Sequence, residues 1–294
     1  MFWKIRAASI AIVALLVCLP VLSLAAEGTT EEPSPQQRAY LEKIRALNWV
    51  EGPKTVEVVG NAQLVVPEGY LFLDQRETDK FLELNQNMST GKEMMIAPKS
   101  LDWSAYISFA GEGYVKDDEK IDAAALLKAL KEGTEQENEE RRKRGWAPIH
   151  VAGWAVTPAY NTSTKRLEWA TRLVGDGSGE AVNFFTKILG RRGYTTVILV
   201  SSPDGLMNAE NALNKVLTGY AFKSGDTYAE WVPGDKVAEY GLAALVLGGA
   251  AAIATKKGLW GVIASALAAS WKFIAAAVVG AGAWLRRAFS KKDA

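Results

Sequence analysis

Residues 181–202 read AVNFFTKILGRRGYTTVILVSS, and the fold class follows from this stretch. Two runs of β-branched, aliphatic and aromatic residues, Ala181–Leu189 and Tyr194–Ser202, flank the tetrapeptide Gly190-Arg191-Arg192-Gly193. Such runs around a short glycine-containing segment are typical of two antiparallel strands joined by a turn. The stretch therefore predicts a β-hairpin. The two arginines at its tip are expected either to be solvated or to contact anionic lipid or a partner.

Further strands are predicted on the N-terminal side of this hairpin. Alternating apolar residues predict a strand at Arg166–Val174, and another is expected at Ile149–Thr157. Residues 103–109 alternate in the same way, which indicates a half-buried strand. Two β-branched runs within residues 55–66 flank Gly60-Asn61, a pair that favours a tight hairpin turn.

Four helices are predicted around these strands. Asp122 is a typical N-cap for a long helix that reaches about Arg144. Its second half is rich in Glu, Arg and Lys and is expected to be solvated or to face a membrane surface. Shorter helices are predicted at residues 35–48, 78–86 and 208–217. Because the connections are short, we expect an α+β fold with a mainly antiparallel sheet and packed helices.

The N-terminus has the layout of a secretory signal peptide. Lys4 and Arg6 precede an apolar run, Ala7–Leu22, and Ser23-Leu24-Ala25 places small residues before a cleavage site. The sequence therefore predicts a signal peptide at residues 1–25. An uncleaved anchor is the alternative, although the apolar run is shorter than a typical span of ~20 residues.

The composition divides the rest of the chain into three parts. A polar linker is predicted at residues 26–36, an exported α+β domain at 37–236, and a membrane anchor with a basic tail at 237–294. The anchor contains two apolar stretches, Tyr240–Ala254 and Leu259–Leu285. As helices they would span ~22 Å and ~40 Å, against a hydrocarbon core of ~30 Å.

Two membrane topologies fit these stretches. If both cross, the basic C-terminal tail lies outside, against the positive-inside tendency; if only the second crosses, the tail is cytoplasmic. Charge favours the single crossing, whereas the hydrophobicity of both stretches favours two membrane helices. Either topology predicts a bacterial inner-membrane protein whose soluble domain is in the periplasm.

Lys272 is the one charged residue within the second apolar stretch. Small neighbours such as Ala268 and Ala276 favour close helix packing, so Lys272 is expected either to contact Glu239 or a partner subunit, or to snorkel to the interface. The expected partners are thus membrane lipid and a membrane protein or a second copy of the chain. A net charge of +1 gives no indication of nucleic-acid binding.

The sequence contains few residues suited to catalysis or metal binding. His150 is the single histidine, and no Gly-x-Ser-x-Gly motif accompanies it. Cys18 is the single cysteine and would leave with the signal peptide. The acidic run Asp117-Asp118-Glu119 lacks the spacing of a calcium loop and is better explained as a turn before a helix. We therefore predict no cofactor and no metal site.

An aromatic-lined ligand pocket is the strongest binding hypothesis. Three tryptophans lie on predicted strands near two arginines, and the five candidates are Trp103, Trp154, Trp169, Arg166 and Arg172. Tryptophan with a few polar groups is typical of small-molecule pockets. Packing in the core is the alternative for strand aromatics.

Several short motifs together resemble one family. They are Gly145-Trp146, Val151-Ala152-Gly153-Trp154, Arg166-Leu167-x-Trp169-Ala170, Leu189-Gly190-Arg191-Arg192-Gly193 and Lys236-Val237-Ala238-x-Tyr240-Gly241-Leu242. This combination is similar to the bacterial uncharacterised membrane-anchored proteins grouped as domain of unknown function 2167. The resemblance implies a signal peptide, an exported domain and a C-terminal membrane segment, and it supplies no catalytic residues. The element order is also similar to that of PsbP-like sandwiches.

These observations lead to two functional hypotheses. The first is a non-enzymatic binding or accessory module of the bacterial envelope. The second is a periplasmic hydrolase or transferase that uses carboxylates such as Asp102, Asp117 or Asp118, because paired carboxylates need only spatial proximity.

Overall fold

The computed structural model describes residues 35–176 and 179–247. In chain order the strands are β1 (Val50–Glu51), β2 (Lys54–Val58), β3 (Ala62–Val66), β4 (Tyr70–Leu73), β5 (Met94–Pro98), β6 (Ser104–Ala110), β7 (Ile149–Asn161), β8 (Arg166–Gly175), β9 (Gly179–Leu189), β10 (Tyr194–Ser201) and β11 (Tyr220–Phe222). The α-helices are α1 (Pro35–Arg45), α2 (Gln75–Leu84), α3 (Ala123–Lys143), α4 (Leu206–Leu217) and α5 (Leu242–Val246), and a 3₁₀ helix spans Tyr228–Glu230.

The strands form one large and one small sheet, both antiparallel. The large sheet has eight strands in the order β1-β4-β5-β6-β10-β9-β8-β7, and the small sheet has three in the order β11-β3-β2. The chain is therefore mainly antiparallel α+β, as the sequence predicts. The order of the strands in space depends on contacts between distant segments and does not follow from local patterns.

The β9–β10 hairpin occupies the middle of the large sheet. Leu189 pairs with Tyr194 beside the turn, and the register continues to Val182 and Ser201. This confirms the predicted hairpin. Every residue of β10 is buried, because other elements cover both faces of the sheet. The same cover explains why β6, predicted to be half-buried, is buried on both faces over its first four residues.

Two hydrophobic layers cover the two faces of the large sheet. The layer on one face, here called the helix face, includes Phe81, Tyr106, Leu126, Trp169, Phe185, Ile198 and Leu245. The layer on the other face, here called the small-sheet face, includes Leu64, Val66, Ile107, Phe184, Val197, Leu199 and Leu213. Burial of each such side chain stabilises the fold by about 1.5–3 kcal/mol, so both layers are major sources of stability.

Capping residues fix where α2 and α3 begin. The Asp122 carboxylate accepts hydrogen bonds from the first backbone amides of α3, which confirms the predicted start. The Asp74 carboxylate does the same for α2, which therefore begins before the predicted residue 78. The second half of α3 is not simply solvated, since Asn138 and Arg141 are buried. Asn138 exchanges two hydrogen bonds with the backbone of Ile149 at the start of β7, at 2.8 and 2.9 Å.

The strand β7 forms one edge of the large sheet and is irregular. Its pairing with β8 shifts register between Val151 and Gly153, between Trp154 and Val156, and between Val156 and Ala159. The strand also continues past Pro158, beyond the predicted end at residue 157. The opposite edge is β1, which has only two residues.

The folded body extends past both predicted domain boundaries. The helix α1 begins at Pro35, inside the predicted linker. At the other end, Val237 forms a bridge with Tyr114, and Leu242 and Leu245 are 1% and 0% exposed in the helix-face layer. The predicted signal peptide and the residues after 247, including Lys272, lie outside the described residues. Within the described ranges, the helices are too short or too polar to cross a membrane.

Candidate functional site

The five residues of the predicted pocket lie in different parts of the structure. Trp169 is 1% exposed on the helix face, where its ring stacks on Phe185 at a centroid distance of 4.9 Å. Trp103 is buried on the small-sheet face, against Tyr70. The large sheet therefore separates these two tryptophans.

The other three candidates are also apart. The Trp154 indole donates a hydrogen bond from Nε1 to the Ala123 carbonyl oxygen at 3.0 Å, so it fastens β7 to the start of α3. Arg172 is exposed on β8. Arg166, at the opposite end of β8, lines a cavity. Of the five residues, Arg166 is thus the one around which a candidate site is built.

This cavity, here called the Arg166 cavity, lies where the β7–β8 turn, the end of β9, β11 and the 3₁₀ helix meet. Its volume is about 320 Å³. It is lined by Thr164, Lys165, Arg166, Ile188, Leu189, Tyr220, Ala221, Phe222, Thr227, Tyr228 and Ala229. Small-molecule sites typically have volumes of about 300–1,000 Å³ and mostly apolar walls. The Arg166 cavity matches both criteria, at the small end of the size range.

A carboxylate fixes one of the two cations of this cavity. Asp117 Oδ2 accepts hydrogen bonds from Lys165 Nζ at 2.9 Å and from the Tyr160 hydroxyl at 2.8 Å. Burial by itself would raise the pKa of Asp117, but the hydrogen bonds from Lys165 and Tyr160 outweigh it and lower the pKa. The carboxylate is therefore charged at neutral pH and neutralises the Lys165 ammonium.

Stacked aromatic rings support the same region. The Tyr114 ring stacks on Tyr228 with centroids 4.4 Å apart, and its other neighbour is Trp231 at 5.2 Å. The Tyr228 hydroxyl donates to the Val115 carbonyl oxygen at 2.9 Å, and Lys165 Nζ lies 5.0 Å from the Tyr228 ring centre. Burial raises the pKa of Tyr228, so this phenol stays protonated and acts as a fixed wall.

The small sheet supplies the remaining wall. Phe222 packs edge-on against Phe109 and against Tyr220. The Tyr220 hydroxyl is 2.5 Å from Thr195 Oγ1, which ties β11 to the large sheet. A Cβ atom at Gly190 would lie 2.8 Å from the Phe222 ring, so only glycine permits this approach. The glycine before Arg191 in the predicted turn therefore also shapes the cavity.

The arginines at the tip of the hairpin are not simply solvated. Arg191 binds the Asp235 carboxylate with two hydrogen bonds, at 2.6 and 2.9 Å, and Arg192 pairs with Asp226. The hydrogen bond from Arg191 is the main reason that the pKa of Asp235 falls to about 2. These pairs hold the segment that follows β11, and the 3₁₀ helix with it, against the turn.

Sequence reasoning missed one buried cation. Lys187 Nζ donates to Thr196 Oγ1 at 2.8 Å and lies 5.1 Å from the Tyr194 ring centre. Burial lowers the pKa of Lys187 to about 7. The residue is 6% exposed on the helix face. The only sequence signal was a lysine within the apolar run FFTKIL.

Asp102 lies at the opposite end of β6 from the other two carboxylates considered for hydrolysis. Asp102 Oδ1 accepts from Ser100 Oγ at 2.6 Å before β6, whereas Asp117 and the exposed Asp118 follow β6. A strand of this length separates its ends by about 20 Å. The histidine is also engaged at the surface, with His150 Nδ1 2.6 Å from a Glu135 oxygen.

Two further predictions concern metal binding and Glu239. The described residues contain no cluster of three or more His, Cys, Asp or Glu side chains arranged to hold a metal ion. Glu239 lines a second cavity, of about 360 Å³, between α3 and α5. Because Lys272 lies outside the described residues, the contact between Lys272 and Glu239 stays a prediction.

Comparisons with known proteins identify a family but no function. No curated protein matches the chain. The solution structure of cyanobacterial PsbP (CyanoP) from Synechocystis sp. PCC 6803 is similar over 58% of this chain and 92% of its own, with 10% identity and a TM-score of 0.37. At that TM-score the PsbP-like sandwich stays a prediction. The sequence profile described as protein of unknown function (DUF2167) matches residues 50–282, most of the chain, and the chain therefore belongs to this family.

Proposed function

We propose that this protein is exported and held at a bacterial inner membrane, where its body in the periplasm is a binding or accessory module rather than an enzyme. The family supplies no activity, so the proposal rests on the chain itself. One observation supports it: beyond α5, the last described element of the folded body, the sequence continues with the apolar stretch Leu259–Leu285.

The contacts of α5 tie it to the folded body. The backbone amide of Ala243 donates to Glu119 Oε2 at 2.9 Å, and the buried Leu242 and Leu245 pack in the helix-face layer. Before α5, the backbone amide of Tyr114 donates to the Lys236 carbonyl oxygen, and the Tyr114 carbonyl oxygen accepts from the Ala238 amide, both at 2.8 Å. The described part of the chain thus ends in an element that is packed against the body.

The fractionation of cells that express the full chain tests the location. We expect the protein in the membrane fraction after salt and carbonate washing, with its body digested by protease only after the outer membrane is opened. The matched control ends after Leu247 and keeps α5, and it should be recovered in the soluble periplasmic fraction. A full chain released by washing, or a body found in the cytosol, would contradict the proposal.

Partners belong to the same proposal. We expect membrane lipid to surround the apolar tail, and a membrane protein or a second copy to associate through it. Lys272→Leu should then reduce what co-purifies with the full chain, while the Lys215→Leu control in α4 should not. Full recovery of every partner with Lys272→Leu would count against a role for this lysine.

The proposal that the protein is not an enzyme has a separate test. Purified full chain should show no turnover of common ester, glycan or phosphate substrates. Turnover that is lost on Asp117→Asn would instead support the hydrolase or transferase hypothesis.

A further inference from the structure

We propose that the Arg166 cavity is the binding site of a small amphipathic anion, with the anionic group on Arg166 and the apolar body along Ile188, Phe222 and Tyr228. This deepens the proposed binding module and names its ligand class. The inference begins from the charges around the cavity.

Of the two cations that line the cavity, one is not neutralised by any residue that the structure describes. Lys165 is paired with Asp117 at 2.9 Å. Arg166 forms no ion pair with any residue in the ranges 35–176 and 179–247. Glu168, two residues further along β8, accepts a hydrogen bond from Thr186 Oγ1 at 3.3 Å. A guanidinium offers two parallel N–H groups, a geometry that fits carboxylate or phosphate oxygens.

The surroundings of Arg166 strengthen its attraction for an anion. Its side chain is half-buried, next to the apolar Ile188 and the rings of Tyr220 and Phe222. Charge interactions are stronger beside apolar walls than in bulk water because the local dielectric constant is lower. The same walls contact the rest of the ligand, so both parts of an amphipathic molecule are accommodated.

The size of the cavity selects the source of the anion. A volume of about 320 Å³ holds a molecule with a single small ring or a short chain. The two acyl chains of a phospholipid do not fit in this space. A free solute is therefore the expected ligand, and a lipid headgroup is the alternative that the third arm of the test below distinguishes.

Rigid walls make this cavity a binding site rather than an adaptable groove. Tyr220 is fixed by Thr195, and Tyr228 is fixed by its hydrogen bond to Val115. Pre-formed walls reduce the conformational entropy that the protein must lose when a ligand binds. A small ligand thus binds more tightly here than it would in a flexible site of the same size.

The test uses the full chain in phosphatidylcholine nanodiscs and isothermal titration with 3-phenylpropionate. Its neutral isostere, 3-phenylpropanamide, is the matched ligand. We expect saturable binding of the anion and at least about tenfold weaker binding of the amide, because the charge-assisted pair is lost. Equal affinities, or no saturable binding of the anion, would overturn the proposal.

Two variants locate the site. Arg166→Gln should weaken binding of the anion at least about tenfold and leave binding of the amide nearly unchanged. Arg172→Gln removes an exposed arginine from the same strand and should have no effect. An equal loss in both variants would indicate general charge attraction and would refute the site. Both variants should keep the wild-type unfolding temperature, which separates lost binding from lost fold.

A third arm separates a free solute from a lipid. Phosphatidylglycerol vesicles added to the titration should not displace 3-phenylpropionate. Displacement would overturn the assignment of a small solute. None of these outcomes depends on where the cell places the protein, so a failure here and a failure of membrane localisation are distinguishable.

Discussion

The two faces of the large sheet bury their polar groups differently. On the small-sheet face, Thr195 is bonded to the Tyr220 hydroxyl at 2.5 Å and Thr186 to Glu168 at 3.3 Å. On the helix face, Lys187 has one hydrogen bond, to Thr196, and the amide of Asn183 has no partner among the described residues. These two threonines of the small-sheet face are therefore hydrogen-bonded within the described residues, whereas Lys187 and Asn183 on the helix face are buried at a cost in stability. Tight packing of a face therefore does not guarantee that the polar groups buried in it are hydrogen-bonded, even within one domain.

The largest effect on stability is expected when a substitution creates a void in the layer on the small-sheet face. Leu64 is 0% exposed in the middle of β3. Leu64→Ala should lower the free energy of unfolding by about 2–5 kcal/mol, because it removes buried apolar surface and leaves a void. Urea unfolding of the full chain measures this. Val65→Ala, at the neighbouring exposed position, is the control and should change stability by less than about 0.5 kcal/mol.

A slightly smaller effect, of opposite sign, is expected from Lys187→Met on the helix face. In the folded state the pKa of Lys187 is about 7, against an ordinary value of 10.5. Between these values the unfolded chain binds more protons, so the free energy of unfolding should rise with pH. Burying the charged Lys187 ammonium lowers the free energy of unfolding by an amount on the order of 4 kcal/mol, and this cost is fully present below pH 7.

Unfolding at pH 6.5, 8 and 9.5 checks this dependence. The Met variant should be more stable than wild type at the lowest pH and should lose the rise between pH 7 and 9.5. Lys128→Met, which changes a lysine on α3, should keep the wild-type pH dependence. If the free energy of unfolding of the Lys187 variant still rises with pH, a group other than Lys187 causes the rise.

The third prediction compares one polar residue on each face. Asn183→Val should raise the free energy of unfolding by about 1–2 kcal/mol, because it removes a buried amide that is not hydrogen-bonded within the described residues. Thr186→Val should lower it by about 0.5–1.5 kcal/mol, because a made hydrogen bond is lost. Thermal unfolding of both variants measures the difference. If both substitutions changed the free energy of unfolding in the same direction, the contrast between the two faces would be disproved.

The smallest effect is expected at the end of the sheet, outside both layers. Asp117→Asn should lower stability by at most about 1 kcal/mol, since the ion pair with Lys165 is partly solvent-screened. Its neighbour Asp118 is exposed, so Asp118→Asn is the matched control. The Asp117 effect should shrink in high salt, whereas the control should show none.

The sequence predicted those parts of the fold that depend on local signals. The β2–β3 and β9–β10 hairpins follow from runs of β-formers around turn residues, and Gly60 and Asn61 do adopt the positive φ values of a tight turn. The start of α3 follows from the capping carboxylate of Asp122. Each of these features is decided by a few consecutive residues.

The remaining features depend on distant contacts. β5 was missed because its residues are buried on both faces and show no alternation. The Arg166 cavity combines β8 with Tyr220, Phe222 and Tyr228, which are far away in the sequence. Arg166 is one of the predicted pocket residues, whereas the three tryptophans predicted with it lie elsewhere, within the two layers or against α3.

The irregular edge strand β7 has a consequence for contacts between copies of this domain. Regular edge strands offer unpaired backbone groups that recruit further strands, and this leads to fibrous aggregates. The register shifts in β7 twist its outer rim, and Pro158 has no amide hydrogen to donate there. At the opposite rim, the two residues of β1 are too few for stable pairing. Neighbouring copies of this domain would therefore not pair through their edge strands into a continuous sheet.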